Sequence, residues 1–157
     1  MSELIREIAE VNGLRLGNTG RDSDKDHLGL AQMINAIFWY AEYDGYRVKT
    51  TEHEYLILID NGQCCCESWG YFDSADNTDD FIGKELVSVE LTDVALNKEK
   101  LEKSGYYGGE EGGIQFVDFN MADGTVLQFA VYNEHNGYYG HPIIVAKDEK
   151  IILQDTL

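Results

Sequence analysis

Four stretches of this 157-residue chain hold residue types that could do chemistry. The first is Cys64-Cys65-Cys66-Glu67. A thiolate is both a nucleophile and a soft metal ligand, and Cys64 and Cys66 would share one face of a strand. With His135 or His141 they could complete a zinc site. Cys65 beside Glu67, with a distant His135, could be assembled into a nucleophile arrangement. The spacing supports neither, because no paired CxxC is present. Three contiguous cysteines are also a poor disulfide framework, since strand neighbours point to opposite faces. Two of the three read more simply as small buried hydrophobes.

The second stretch is Asn133-Glu134-His135-Asn136, running on to His141. Two histidines and a glutamate could do acid–base chemistry or bind a metal. No HExxH or HxH pattern accompanies them, and loop-stabilising hydrogen bonds from His135 and Asn136 are the simpler role. The third is an internal echo, in which Gly105-Tyr106-Tyr107-Gly108 recurs as Gly137-Tyr138-Tyr139-Gly140. Tyrosine supplies a large contact area at low entropy cost, and glycine lets a backbone approach a ligand. The tyrosines could stack on a base or anchor a protein partner, or they could plug the end of a sheet. The fourth is Asp73, Asp76, Asp79 and Asp80. Oxygen-rich loops can hold calcium, but this spacing is not DxDxDG. Together with Glu110 and Glu111, these acids read as an acidic face. GxSxG, P-loop and helix-opening GxGxxG signatures are missing. The expectation is a protein with no catalytic residues, no metal and no cofactor.

The charge sharpens that reading. Twelve Lys+Arg oppose 29 Asp+Glu, for a formal net charge of −17. Residues 1–50 carry −2 of it and residues 51–157 carry −15. Solubility needs a magnitude of only about 2–8 in a small domain. Such a surface repels nucleic-acid phosphates. It is either a solvated acidic face, or one that attracts a basic partner or imitates a polyanion. No run approaches the roughly 18 apolar residues of a membrane span. A basic n-region followed by an apolar h-region is also missing, so a cytoplasmic setting with reduced thiols is expected.

Periodicity suggests the elements that must position these residues. Ser2 can cap a helix through about Val11, with Leu4, Ile5 and Ile8 on one side and Asn12-Gly13 closing it. Residues 12–25 read as a loop. A second helix, roughly Asp26 to Tyr43, carries Leu30, Met33, Ile34, Ile37, Phe38 and Ala41 at spacings of three and four. From Tyr46 the period becomes two, and 46–51, Glu54–Asp60, Gln63–Phe72 and Leu86–Thr92 read as strands. Asn61-Gly62 is a strong hairpin signal. Thr78 could cap a helical turn over Asp79–Lys84, and another could lie near Asn97–Lys103. Ile114–Met121 and Thr125–Asn133 form a hairpin through Ala122-Asp123-Gly124. Pro142–Lys147 and Lys150–Gln154 form one through Asp148-Glu149. The expected fold is α+β: two N-terminal helices followed by one curved antiparallel sheet of about eight hairpin-linked strands. A single domain spans 1–157, with a helical segment over 1–45 and a β-rich part over 46–157.

Cys65-Cys66-Glu67, Phe81-Ile82-Gly83-Lys84, the Asp123-Gly124 hairpin and the run from His135 to His141 resemble an uncharacterised family of bacterial and phage proteins, a domain of unknown function. The resemblance covers about residues 55–147 and leaves out the N-terminal segment. It implies a phage or prophage setting, and it brings no established activity from which a catalytic role could be carried over. With the charge, it suggests an acidic phage-encoded inhibitor of anti-CRISPR or anti-defence type, binding a basic nucleic-acid-binding surface of a host protein such as a CRISPR-associated nuclease. Asp73, Asp76, Asp79, Asp80, Glu110 and Glu111 would meet its lysines and arginines. Tyr106, Tyr107, Tyr138 and Tyr139 would be its anchors. The alternatives are a small-ligand or signalling-nucleotide sponge, and a metal-dependent hydrolase using the cysteines and histidines.

Overall fold

The chain opens on a strand, where a helix was expected. In the computed structural model, which describes residues 2–16, 42–62, 68–106, 111–135 and 140–157 (Glu111 and His135 by backbone alone), Ile5–Arg15 forms β1. It pairs antiparallel with β2 (Glu42–Thr50). Two bulges explain why its apolar spacing imitates a helix. The register shifts between Ile5 and Glu7 and again between Val11 and Leu14. Each bulge resets the alternation. Ile5 and Ile8 therefore both reach one face, and Val11 and Leu14 both reach the other. Of the second expected helix, residues 26–41 lie outside the described residues, while Glu42 and Tyr43 belong to β2. The α+β expectation is thus corrected to a mostly β architecture, whose helical content among the described residues is a 3-10 turn at Thr78–Phe81 and one short helix, α1 (Lys98–Lys103).

The described residues form two sheets where one curved sheet was expected. The remaining strands are β3 (Glu54–Asp60), β4 (Ser68–Asp73), β5 (Leu86–Thr92), β6 (Glu111–Met121), β7 (Val126–His135), β8 (Pro142–Lys147) and β9 (Lys150–Thr156). One sheet has the order β1-β2-β3-β8-β9 and the other β4-β7-β6-β5, with every pairing antiparallel. The expected hairpin at Asn61-Gly62 does not form, because β3 pairs with β8 while β4 joins the second sheet beside β7. Burial explains the choice. Tyr55 to Ile59 and Ile143 to Ala146 are buried throughout, so these two strands suit a position covered on both faces. The sequence of β4 (SWGYFD) is only half-buried and sits at an edge.

Tyr55, Ile57 and Ile59 enter a core shared with Val117, Phe119, Leu127, Phe129 and Val131 of the second sheet. Leu56 and Leu58 enter a smaller cluster on the opposite face with Leu14, Tyr43 and Ile144. The backbone at β1's start bonds to the segment leading into β5, with Ile5 N–H to Lys84 O at 2.9 Å and Leu86 N–H to Glu3 O at 2.7 Å. Farther along, Tyr71 of β4 donates its hydroxyl to Asn12 Oδ1 at 3.2 Å. Since β5 and β4 are opposite edges of the second sheet, β1 runs across that sheet from one edge to the other. The β6–β7 and β8–β9 hairpins form as expected. In the first turn, the Asp123 carboxylate accepts from the Thr125 hydroxyl and N–H, and Lys84 lies 3.1 Å away. Those hydrogen bonds, with the Lys84 ammonium, hold its carboxyl down to about 2.

Gly45 in β2 has φ +149°, and a Cβ there would lie 2.0 Å from the Ile57 carbonyl oxygen. The obstacle is backbone of the central strand, which cannot rotate away. Gly45→Ala is expected to destabilise the protein by about 2–4 kcal/mol. Gly124→Ala, at φ +88° with open space around it, should cost only ~1 kcal/mol. Urea denaturation midpoints of the two variants check the contrast.

Candidate functional site

An open cleft of about 330 Å³ runs along the free edge of β4. Glu10 of β1, Tyr46 of β2, Tyr71, Phe72 and Asp73 of β4, Lys100, Lys103 and Ser104 around α1, and Tyr132 of β7 line it. The helix is placed by its cap, in which Asn97 Oδ1 accepts from Lys100 N–H at 3.1 Å. The Asn97 amide also donates to Ser74 O at 3.1 Å, which ties the helix to the loop after β4. At the other end, Tyr132 Oη donates to Ser104 O at 2.9 Å. Gly70 leaves room for that tyrosine, since a Cβ there would stand 2.5 Å from Tyr132 Oη.

Aromatic packing builds the walls. Tyr46 meets Tyr71 edge-on at 5.3 Å between ring centroids and lies against Phe129 at 4.6 Å. Tyr106, Tyr132, Phe72 and Phe116 follow in a chain of ring contacts on the other side of the second sheet. Asp73 sits among these rings. It accepts from Tyr46 Oη at 3.3 Å and from Ala75 N–H at 3.0 Å, and lies 3.5 Å from Lys100 Nζ. Lys100 Nζ also donates to Ala75 O. Lys103 pairs with Glu99 at 2.9 Å. The cleft therefore offers aromatic faces and phenol hydroxyls, while its charges are largely matched internally. Burial first, and the nearby carboxylates second, hold Tyr46 and Tyr71 above the ordinary phenol value, so both are neutral donors at physiological pH.

The structure scatters the residues singled out from sequence. Asp73 belongs to the cleft, whereas Asp76, Asp79 and Asp80 are exposed on the following loop, where Asn77 caps the 3-10 turn. Tyr106 is half-buried against Tyr132. Glu111 opens β6 and pairs in backbone register with His135 at the end of β7, so the strands that adjoin the two Gly-Tyr-Tyr-Gly echoes start and stop side by side. Tyr107, Glu110, Tyr138, Tyr139 and Cys64–Cys66 lie outside the described residues. His141 is buried and structural: its Nδ1–H donates to Asp60 O at 2.6 Å and its ring stacks on Trp69. Among the described residues, Glu3, Glu52 and His53 bring potential metal-ligand atoms within 4.8 Å of one another. Glu3 already accepts from Thr50 and Tyr55, and His53 Nδ1 is bonded to Asp148, so protein partners hold these groups. Sequence reasoning missed Glu10, Tyr46, Tyr71, Lys100, Lys103 and Tyr132. The one local signal was Tyr71 and Asp73 at strand spacing.

Fold and cleft define a class: an all-antiparallel two-sheet protein with an aromatic cleft and an acidic surface. The chain belongs to the DUF7448 family, a domain of unknown function, whose model matches residues 4–145. That match carries the likeness, expected over 55–147, back through β1. The chain is also 29% identical over 87 residues, 55% of its length, to an uncharacterised protein of Acanthamoeba polyphaga mimivirus; the shared stretch is 64% of that protein. No solved structure matches the chain. Among the described residues, no helix is long and apolar enough to cross a membrane.

Six tyrosines (Tyr43, Tyr46, Tyr55, Tyr71, Tyr106 and Tyr132) are pushed above the usual phenol value, chiefly by burial. A raised folded-state value means that the folded protein keeps protons that the unfolded chain releases near pH ~10. Stability is therefore complete below that pH and falls as pH rises beyond it. Urea midpoints measured upward from neutral pH should drop above pH ~10, with tyrosinate absorbance lagging behind that of the unfolded chain.

Proposed function

We propose that this protein is a non-catalytic binding protein whose partner presents a basic, nucleic-acid-binding surface. The observation that carries this reading is the way the charge is matched. Among the described residues, Arg47, Lys49, Lys84, Lys100 and Lys103 each pair with a carboxylate of the same chain. Asp76, Asp79 and Asp80 are exposed and make no ion pair among those residues. Half of the ten described lysines and arginines are thus held internally, and these exposed acids face solvent. Such a field speeds association with a positive surface and weakens with salt. A similar protein in a virus agrees with an anti-defence role. That relative comes from a virus of an amoeba, a eukaryotic host, so the reading is framed for basic nucleic-acid-binding surfaces in general, of which a CRISPR-associated nuclease is one case.

The cleft favours a second reading, a small-ligand or signalling-nucleotide binder, because Tyr46, Tyr71 and Tyr132 stand near two lysines. Against it, Lys100 and Lys103 are held by Asp73 and Glu99, and Glu10 and Asp73 would face any phosphate. A nucleotide bound only by the native state would raise the unfolding midpoint in a thermal-shift screen; no shift is expected.

Titration of lysine- and arginine-rich polypeptides, and pull-down with basic nucleic-acid-binding host proteins, test the main reading. Binding should be present at low salt and fall steeply toward ~0.5 M salt. The Asp76→Asn/Asp79→Asn/Asp80→Asn variant should bind several-fold more weakly with unchanged stability. Absence of binding at every salt concentration would count against the proposal.

A further inference from the structure

The second sheet ends on β5, and that edge differs from the other three. β1 carries two bulges, β8–β9 pairing carries one, and β4 is flanked by the cleft. On β5 the irregularity is confined to the start, between Leu86 and Ser88. There the outer edge is occupied, through the Leu4–Glu85 bridge and the bond from Leu86 N–H to Glu3 O. Beyond it, β6 is the strand's one partner among the described residues. Alternate main-chain groups of an antiparallel edge strand point away from the sheet, ready to pair with another chain.

Natural edges are usually defended by charge, proline or a covering loop. This one displays apolar side chains as well as acidic ones. Among the described residues six large hydrophobic side chains are exposed, and five of them lie between positions 82 and 96. Val87 is 65% exposed and Leu91 44% on β5 itself; Val94 at 69% and Leu96 at 51% follow it. Exposed acids are interleaved with them: Glu85, Glu90 and Asp93. None of the three makes an ion pair among the described residues, and Lys84, next to Glu85 in the chain, is held by Asp123.

We infer that β5 is a strand-addition site for an extended segment of a partner protein in which basic and apolar residues alternate. The inference rests on the reading of a basic partner and adds where and how that partner is gripped. Main-chain ladder bonds would supply affinity. On the free part of the edge, Leu91 would meet an apolar position and Glu90, on the opposite face, a basic one, with Val87 at the bulge and Asp93 just past the strand's end adding further apolar and acidic contacts. A second copy of this chain fits poorly. Pairing two β5 edges would bring the same acids together, on chains that each carry −17.

The test uses two peptides of about nine residues with one composition, valine and lysine. In one they alternate; in the other the lysines form one block and the valines another. Fluorescence anisotropy gives affinity, and amide hydrogen exchange by NMR locates binding on the intact chain. The alternating peptide should bind ~10-fold more tightly than the blocked one and protect amides within Val87–Thr92. Leu91→Lys should weaken it by ~10-fold while leaving the unfolding midpoint unchanged, and Val87→Lys serves as a second variant should Leu91→Lys fold poorly. The Asp76→Asn/Asp79→Asn/Asp80→Asn variant should bind more weakly yet protect the same amides. Equal affinity for both peptides with β5 amides unprotected would overturn strand addition and leave the basic-partner reading standing. Failure of both peptides to bind at low salt would overturn both. Equal β5 protection by a valine–glutamate alternating peptide, or a dimer of the protein that dissolves in Leu91→Lys, would overturn the assigned occupant.

Discussion

Burial of β3 on both faces is the constraint from which the architecture follows. Five consecutive large residues, Tyr55 to Ile59, are removed from water. A strand alternates its side chains, so such a run needs apolar cover above and below. One face is answered by the second sheet, through Phe119, Leu127 and Phe129, and the other by Leu14, Tyr43 and Ile144. The same demand selects the lateral neighbour. Ile143 to Ala146 of β8 is likewise buried on both sides and can lie beside β3 without leaving apolar surface in water. β4 cannot, and is displaced to the edge of the other sheet, where its half-buried tyrosine and aspartate open a cleft.

Local chemistry was legible in the residues; long-range pairing was not. The Asp123-Gly124 and Asp148-Glu149 turns announce their hairpins because the signal and the structure lie within a few positions. β1 misleads for a definite reason. Its bulges at Ile5/Glu7 and Val11/Leu14 give same-face spacings of three, which is also the arithmetic of a helix. Asn61-Gly62 carries good turn residues, yet turn propensity is a small term beside burying β8 against β3. The cleft was hidden because its walls come from β1, β2, β4, β7 and α1, and no short motif spans them. Asp73 looked like one more acid of a charged loop; Tyr46 and Lys100, which determine its surroundings, are 27 positions away on either side.

Electrostatics and packing divide the molecule between them. Lysines and arginines are placed where they hold neighbouring acids: Arg47 on Glu7 across β1 and β2, Lys84 at the β6–β7 turn, Lys100 under α1. Exposed pairs of this kind add little stability, typically under ~1 kcal/mol each. Their larger effect is on the field outside, because every base matched internally leaves the remaining carboxylates unopposed. Among the acids that remain, Glu85 and Asp93 flank an edge strand and Glu90 lies on it, beside the exposed Val87 and Leu91.

The β3–β8 ladder also governs how this protein comes to fold. Ile59 meets Ile143 and Tyr55 meets Lys147, so the central pairing joins the early part of the chain to nearly its end. Loop-closure entropy must be overcome before those contacts return anything, and chains dominated by such distant pairings fold in about milliseconds to seconds rather than microseconds. The β6–β7 hairpin, closed by a local turn, is free to form early and wait. On a ribosome, β3 emerges long before β6, β7 and β8, so the face that packs on Phe119, Leu127 and Phe129 stays uncovered until the second sheet is made.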